Sequence, residues 1–233
     1  MDYTHLSKRL HRVGEFVPEG SILADIGSDH AYLPAYLVLN KRIKSAIAGE
    51  VVEGPFQSAK NLVAELNLTS SIQVRKGDGL DVLNLADEVD AISICGMGGT
   101  LIKDILDRGY KNNRLSGNEV LLLQPNVGEK TLRTWLMDHS YIIIEEDIVR
   151  ENEKTYEIII AKKAEEIEIL SEKELMFGPK LLNEPNDIFK NKWCHELKQL
   201  ENISKQLEKS SQDVSKNQTE INKKIALIKE VIG

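Results

Sequence analysis

The sequence predicts a doubly wound α/β sheet followed by a helical tail. Three observations carry this. Short apolar runs alternate with amphipathic stretches from about residue 20 to 163. Several of those runs are continuously apolar, as strands covered on both faces require. From about residue 171 the strand pattern stops, and apolar residues recur every seven positions.

The runs, in order, are "SILADIG", "SAIAGE", "IQVRKGDG", "DAISICG", "EVLLLQP", "YIIIEEDIV" and "TYEIIIAKK". Patterns such as "VEGPFQSAKNLVAEL" and "LRTWLMD" lie between them and read as helices, so the strands run parallel with right-handed crossovers. Only the polar "RENEK" separates the last two runs, which read as an antiparallel hairpin closing five βα units. In the tail the seven-residue series is Trp193, Leu200, Leu207, Val214, Ile221 and Ile228. A second series of Leu197, Ile225 and Ile232 has Ser204, Ser211 and Gln218 as its middle members. That weak middle coincides with "KSSQDVSKNQ", rich in residues that compete with helix backbone bonds. It favours two helices folded back on each other over one long dimeric coiled coil. The expected division is a ligand-binding domain over 1–163 and a coiled-coil-like helical domain over 164–233.

A chain of 233 residues with 41% apolar content buries a real core. No apolar stretch approaches the length that crosses a bilayer. The start, "MDYTHLSKRLHRVGEF", lacks the apolar centre of a signal peptide, so a cytoplasmic protein is expected. Cys95 and Cys194 are far apart without metal-ligand spacing; they read as reduced thiols, and no metal is expected. A net charge of −7 argues against a protein that coats nucleic acid non-specifically. The charge is uneven, however. Residues 188–233 carry nine Lys against six acids, and Lys8, Arg9 and Arg12 cluster with His5 and His11. Local basic patches on an acidic protein can still hold RNA, because a phosphate backbone responds to nearby charge first.

The first strand runs into "ADIGSDHAYLP", residues 24–34. Gly27 permits a tight turn and close approach of a ligand. A dinucleotide site places further glycines after it, leaving room for a pyrophosphate on a helix N-terminus. Here those places hold Asp29 and Ala31, and a carboxylate repels a pyrophosphate. S-adenosylmethionine has no phosphate and carries an ammonium and a sulfonium, so an acidic turn suits it. Asp25 is placed to hold its amino-acid end, directly or through water. Glu50 ends the second strand, where an acid accepts ribose hydroxyls. Asp78 and Gly79 end the third, where they can meet the adenine amino group and close on the ring. The fourth ends in "ICGMGG". Ligands of open α/β sheets bind outside the carboxyl ends of the strands. Each acid alone has another reading, a helix cap or a loop charge; the ordered set is the signal. Ser28 and His30 in the first turn, Val51 after Glu50, and Cys95 with Gly96 beside the cleft complete the expected cofactor set. Cys95 itself reads as a small buried residue rather than a nucleophile.

"DIGSDHAYLP", "GDGL", "ICGMGG" and "QPN", in this order, resemble the bacterial family that methylates N1 of adenosine 22 in tRNA. The resemblance implies a Rossmann-like class I methyltransferase sheet with a helical coiled-coil-like tail, acting as a monomer on tRNA. N1 of adenine attacks a methyl group through its lone pair, without first losing a proton, and the product base is cationic. The protein must therefore orient the base, exclude water and accommodate positive charge. Asp29 fits that need as the catalytic carboxylate, accepting from the N6 amino group or facing the developing charge. "GMGG" stands where amino-directed methyltransferases carry Asn-Pro-Pro-aromatic, which disfavours methylation of an exocyclic amine by that device.

A buried adenosine must be extruded to be methylated. Tyr32 at the rim can stack on it, or pack against the sheet. Arg9 and Arg12 can hold phosphates near the cleft. Asn126 either contacts the base or caps the helix expected over 128–139. The tail can reach a more distant part of the tRNA. A small-molecule methyltransferase and a catalytically silent binding module on the same fold are the competing readings.

Overall fold

A computed structural model of the chain describes residues 2–207 and 215–233. Seven strands form one sheet in the order β3-β2-β1-β4-β5-β7-β6. They are β1 (Ile22–Ile26), β2 (Ser45–Glu50), β3 (Ile72–Lys76), β4 (Ala91–Met97), β5 (Val120–Pro125), β6 (Tyr141–Glu151) and β7 (Lys154–Lys163). The first five pair in parallel, and β7 runs antiparallel between β5 and β6. The order reverses at β1 and β4, the switch point where such sheets bind ligands.

Helices α1 (Lys8–Phe16), α2 (Tyr32–Leu39) and α3 (Glu53–Glu65) cover one face; α4 (Gly99–Lys111) and α5 (Glu129–Asp138) cover the other. Both faces are buried, which is why β5 is apolar through its first four positions. Helix α2, "YLPAYLVL", is apolar all round; its Pro34 sits in the first turn, where a missing N–H costs nothing. The crossover from β3 to β4 departs from the expected βα pattern. It consists of two 3₁₀ turns, Gly79–Val82 and Leu85–Asp87. Its fourteen or so residues are broken by Gly, Asp and Asn, which do not sustain a helix.

The tail holds α6 (Glu172–Phe177), α7 (Pro179–Asn183), α8 (Asp187–Leu207) and α9 (Ser215–Ile232). Helices α8 and α9 pack against each other and run in opposite directions. Lys229 pairs with Glu201 at 2.7 Å, and Gln218 Nε2 donates to Ser204 Oγ at 2.6 Å. Ser204 and Gln218, two polar members of the second series, thus meet across the pair, while Gln218 Oε1 is buried without a hydrogen-bond partner among the described residues. Ser211, Val214 and the connection between the two helices lie outside the described residues. Phe177, Leu181, Phe189, Trp193, Leu200 and Ile228 form the tail's apolar cluster, to which β6 contributes Ile148.

Candidate active site at the carboxyl ends of the strands

The turn after β1 places three residues in the left-handed region: Gly27 (φ 69°), Asp29 (φ 53°) and Ala31 (φ 56°). The conformation that glycines favour is kept, and two of the glycines are not. Holding a non-glycine residue there costs on the order of 1–3 kcal/mol, Asp being among the more tolerant types. Neighbouring elements hold the turn in place. The N–H groups of Gly27 and Ser28 donate to Gly49 O at 2.9 and 3.1 Å, and Asp29 N–H donates to Glu50 Oε2 at 3.2 Å. A Cβ on Gly27 would lie 2.0 Å from the flexible end of Met97, which could shift; the left-handed φ is what favours glycine here.

Asp25 is buried at the tip of β1 and accepts from Ser28 Oγ at 2.5 Å and Ser93 Oγ at 2.6 Å. Burial raises its pKa above the ordinary carboxylate range; the two serine bonds act the other way, and Glu50 adds to the rise. Asp29, two residues after Gly27, keeps an exposed side chain, 3.5 Å from His30 Nε2. His30 stacks on Tyr32 with ring centroids 5.1 Å apart.

A β-bulge in β4 forms the opposite wall. The register with β5 slips between Cys95 and Met97, and Gly96 takes φ 76°. Such a bulge leaves backbone groups unpaired. Here Gly96 N–H donates to Gln124 Oε1 at 3.1 Å, and Gly96 O accepts from Asn126 Nδ2 at 2.7 Å. Gln124 Oε1 also accepts from Arg9 Nη1 at 2.5 Å, which draws α1 onto the site. The loops after β4 and β5 meet closely. Gly99 N–H donates to Val127 O and Asn126 N–H to Met97 O, both at 2.7 Å. A Cβ on Gly99 would lie 2.3 Å from Gly128 O.

These walls enclose a cavity of about 230 Å³. It brings together Asp25, Gly27, Ser28, Asp29, Cys95 and Gly96 with Arg9 and Tyr32. Burial, with Asp25 nearby, pushes the Cys95 thiol up, away from a reactive thiolate. Glu50, Val51, Asp78 and Gly79 stand at neighbouring strand ends, outside this cavity. Glu50 is buried and already accepts from Val51 N–H (2.9 Å) and Val52 N–H (3.1 Å) besides Asp29. Asp78 is largely exposed and pairs with Arg108 at 2.7 Å. Gly79 has φ 60°, with Ile105 Cγ2 2.9 Å from where a Cβ would sit.

The family model described as tRNA (adenine(22)-N(1))-methyltransferase matches residues 23–230, sheet and tail alike. The chain belongs to the tRNA (adenine(22)-N(1))-methyltransferase family. The enzyme of that name from Bacillus subtilis is 45% identical over 207 residues, 87% of this chain and 86% of its own. The crystal structure of the B. subtilis m1A22 tRNA methyltransferase TrmK superposes with a TM-score of 0.91 at 43% identity, covering 99% of this chain and 100% of that one. A Streptococcus pneumoniae putative tRNA (m1A22) methyltransferase, solved in complex with S-adenosyl-L-methionine, gives a TM-score of 0.89 at 43% identity and 98% and 100% coverage. M. capricolum TrmK, in complex with S-adenosyl-homocysteine, gives 0.84 at 30% identity, covering 97% of each chain.

Within this member of the tRNA (adenine(22)-N(1))-methyltransferase family, two residues expected on the RNA side have partners within the chain. Asn126 does not cap α5. The N-cap is Gly128, with φ 84°, and the Asn126 amide is given to the bulge instead. The Arg12 guanidinium is engaged by Asp147 and Glu15. Lys192, largely covered, and the exposed Lys223 and Lys229 of the tail are likewise paired with acids of the chain itself. Sequence reasoning missed Ser93, Gln124 and Met97. The first two were visible as lone polar residues inside the apolar runs "DAISICG" and "EVLLLQP". Nothing in the pattern marked Met97.

Proposed function

We propose that this chain transfers a methyl group from S-adenosylmethionine to N1 of adenosine 22 in tRNA. One observation carries the reading: an acidic turn with no phosphate cradle, Asp25 to Asp29, in a chain whose family match runs from residue 23 to 230. The donor set fits the cofactor. Asp25 offers a carboxylate without a cationic partner among the described residues, for the ammonium. Glu50, taking three backbone donors across its two oxygens, keeps acceptor capacity for ribose hydroxyls. Asp78 and Gly79 are assigned to the adenine, and Val51, Cys95 and Gly96 to the walls around it. When bound, the cofactor supplies an electrophilic methyl group on a sulfonium.

The remaining chemistry belongs to the chain. Asp29 faces the acceptor base, takes a hydrogen bond from its N6 amino group and offsets the charge that grows on the ring as N1 is methylated. The strained turn holds that carboxylate in place before the base arrives. Tyr32, stacked on His30, gives the extruded base a rim to rest on. Arg9 stands at the same cavity as a cation for the RNA backbone. On this reading residues 1–163 carry the chemistry, residues 164–233 form a coiled-coil-like platform against the tRNA, and the protein works as a monomer in the cytoplasm.

The test is nucleoside mass spectrometry of tRNA incubated with protein and cofactor. The expected product is 1-methyladenosine, with a reverse-transcription stop at position 22. Label in N6-methyladenosine, in protein or in small metabolites would overturn the reading.

A further inference from the structure

We infer that a second hollow, between the loop after β5, the β6–β7 turn and helix α8, receives the nucleotide next to the extruded adenosine, with Arg150 on its phosphate. This rests on the reading of the site as a tRNA methyltransferase.

The argument begins with arginines. The chain has eight. Arg12, Arg42, Arg75, Arg108, Arg114 and Arg133 each have a carboxylate within 4 Å. Arg9 and Arg150 have none among the described residues. In a protein of net charge −7, two guanidiniums without internal acids are where an outside anion is met. Arg9 lines the reaction cavity, and Arg150 lines the second hollow, of about 820 Å³. The two hollows are neighbours. Arg150 is in register with Thr155, and the next residue, Tyr156, lies under the Arg9 guanidinium at 5.4 Å. Asn126 lines the second hollow while its amide holds Gly96 O, part of the first.

The lining suits one nucleotide rather than a polyphosphate. Val127, strongly exposed, and Ile188 offer apolar surface for a base, a more costly exposure than a solvent-facing loop requires. Trp193 belongs to the same wall, and its indole N–H is buried with no hydrogen-bond acceptor. Of the charged groups present, Glu129 is neutralised by Lys192 at 2.6 Å. Glu153 and Glu196 have no cationic partner among the described residues, so the hollow as a whole is not basic. Carboxylates there accept from base amino and imino hydrogens; of the lysines and arginines in the lining Arg150 alone is left for a phosphate, with His195 as a further ring donor on α8. One wall is α8, so neither the sheet nor the tail forms this site alone.

The test uses the full chain saturated with S-adenosylhomocysteine and a fluorescent tRNA transcript, with binding followed over a range of salt. Arg150→Glu is expected to weaken tRNA binding at least tenfold and to lower the salt slope by about 1. Lys154→Glu makes the same charge change at the neighbouring turn position, outside the hollow, and is expected to cost less than threefold. Val127→Arg adds a cation but fills the base site, and is expected to weaken binding. All three variants should bind S-adenosylhomocysteine as the parent does. Equal losses for Arg150→Glu and Lys154→Glu, or tighter binding by Val127→Arg, would overturn the inference. Binding is read without methyl transfer. A parent protein that binds tRNA but makes no 1-methyladenosine would therefore sink the proposed reaction and leave this site standing.

Discussion

Beneath the tail, Arg133 is completely buried, and its guanidinium meets Glu146 at 2.7 Å and Glu157. Lys192 of α8 reaches the same Glu157 at 2.7 Å and Glu129 at 2.6 Å. At the turn after β1, by contrast, Asp25 and Asp29 have no lysine or arginine within 4 Å among the described residues. Both regions are rich in charge, and in both the backbone is closely held. Burial opposes the charge on Arg133, yet Glu157 and Glu146 prevail and raise its pKa. Burial of Asp25 prevails over two serine bonds and raises its pKa, toward the neutral form. Charges that join sheet to tail are answered inside the molecule. Those of Asp25 and Asp29 at the turn after β1 have no such partner, although Asp78, just after β3, is paired with Arg108.

The comparison breaks most visibly at Arg133. Arg133→Met leaves Glu146 buried without a cation, while Glu157 keeps Lys192, and is expected to cost about 3–5 kcal/mol in urea unfolding. Replacing Arg133, Glu146 and Glu157 together with apolar residues of similar volume should recover most of it. If the single variant unfolds like the parent, the buried network is not what fastens the tail to β6.

At the turn, the expected losses are of function rather than stability. Asp29→Gly removes the carboxylate and relieves the left-handed backbone. Methyl transfer to tRNA should fall on the order of 100-fold. Stability should hold or rise by up to about 1 kcal/mol, because glycine accepts φ 53° but loses more chain entropy. Calorimetry should show cofactor binding unchanged.

The smallest effect sharpens the role of Asp25. Only its carboxylate attracts an ammonium, and its raised pKa means that it takes up a proton at a higher pH than an exposed Asp does. Cofactor affinity should therefore begin to fall above the ordinary carboxylate range as pH is lowered. Asp25→Asn should bind about tenfold more weakly at pH 7, near 1.4 kcal/mol, with that pH dependence gone. Stability runs the other way. The unfolded Asp loses its proton first as pH rises, so this group's contribution declines between the unfolded and folded pKa.

Much of this contrast was legible in the sequence. The apolar runs, the polar "RENEK" turn and the acidic "DIGSDH" set the sheet, its hairpin edge and the first turn, because burial on both faces and turn chemistry are local signals. The seven-residue series marked α8 and α9, and the polar Ser204 and Gln218 found each other across them. What stayed hidden depends on partners far along the chain. Gln124 matters because Arg9 and Gly96, 115 and 28 residues away, both donate to it. Asn126 looked like a cap because caps are local; the bulge that claims it exists only once β4 and β5 pair. The partners of Arg12 and of several tail lysines were equally hidden, since Asp147, Glu157, Glu172 and Glu201 lie on other elements.

The approach of Gly99 to Gly128 bears on how a base is admitted. With no room for a side chain on Gly99 and two backbone bonds across the gap, the loops after β4 and β5 are seamed together as a single block. That side of the pocket is a fixed anvil rather than a door. The turn after β1 opposite is tied as firmly, through its bonds to Gly49 and Glu50, so a ligand entering between them meets two fixed sides.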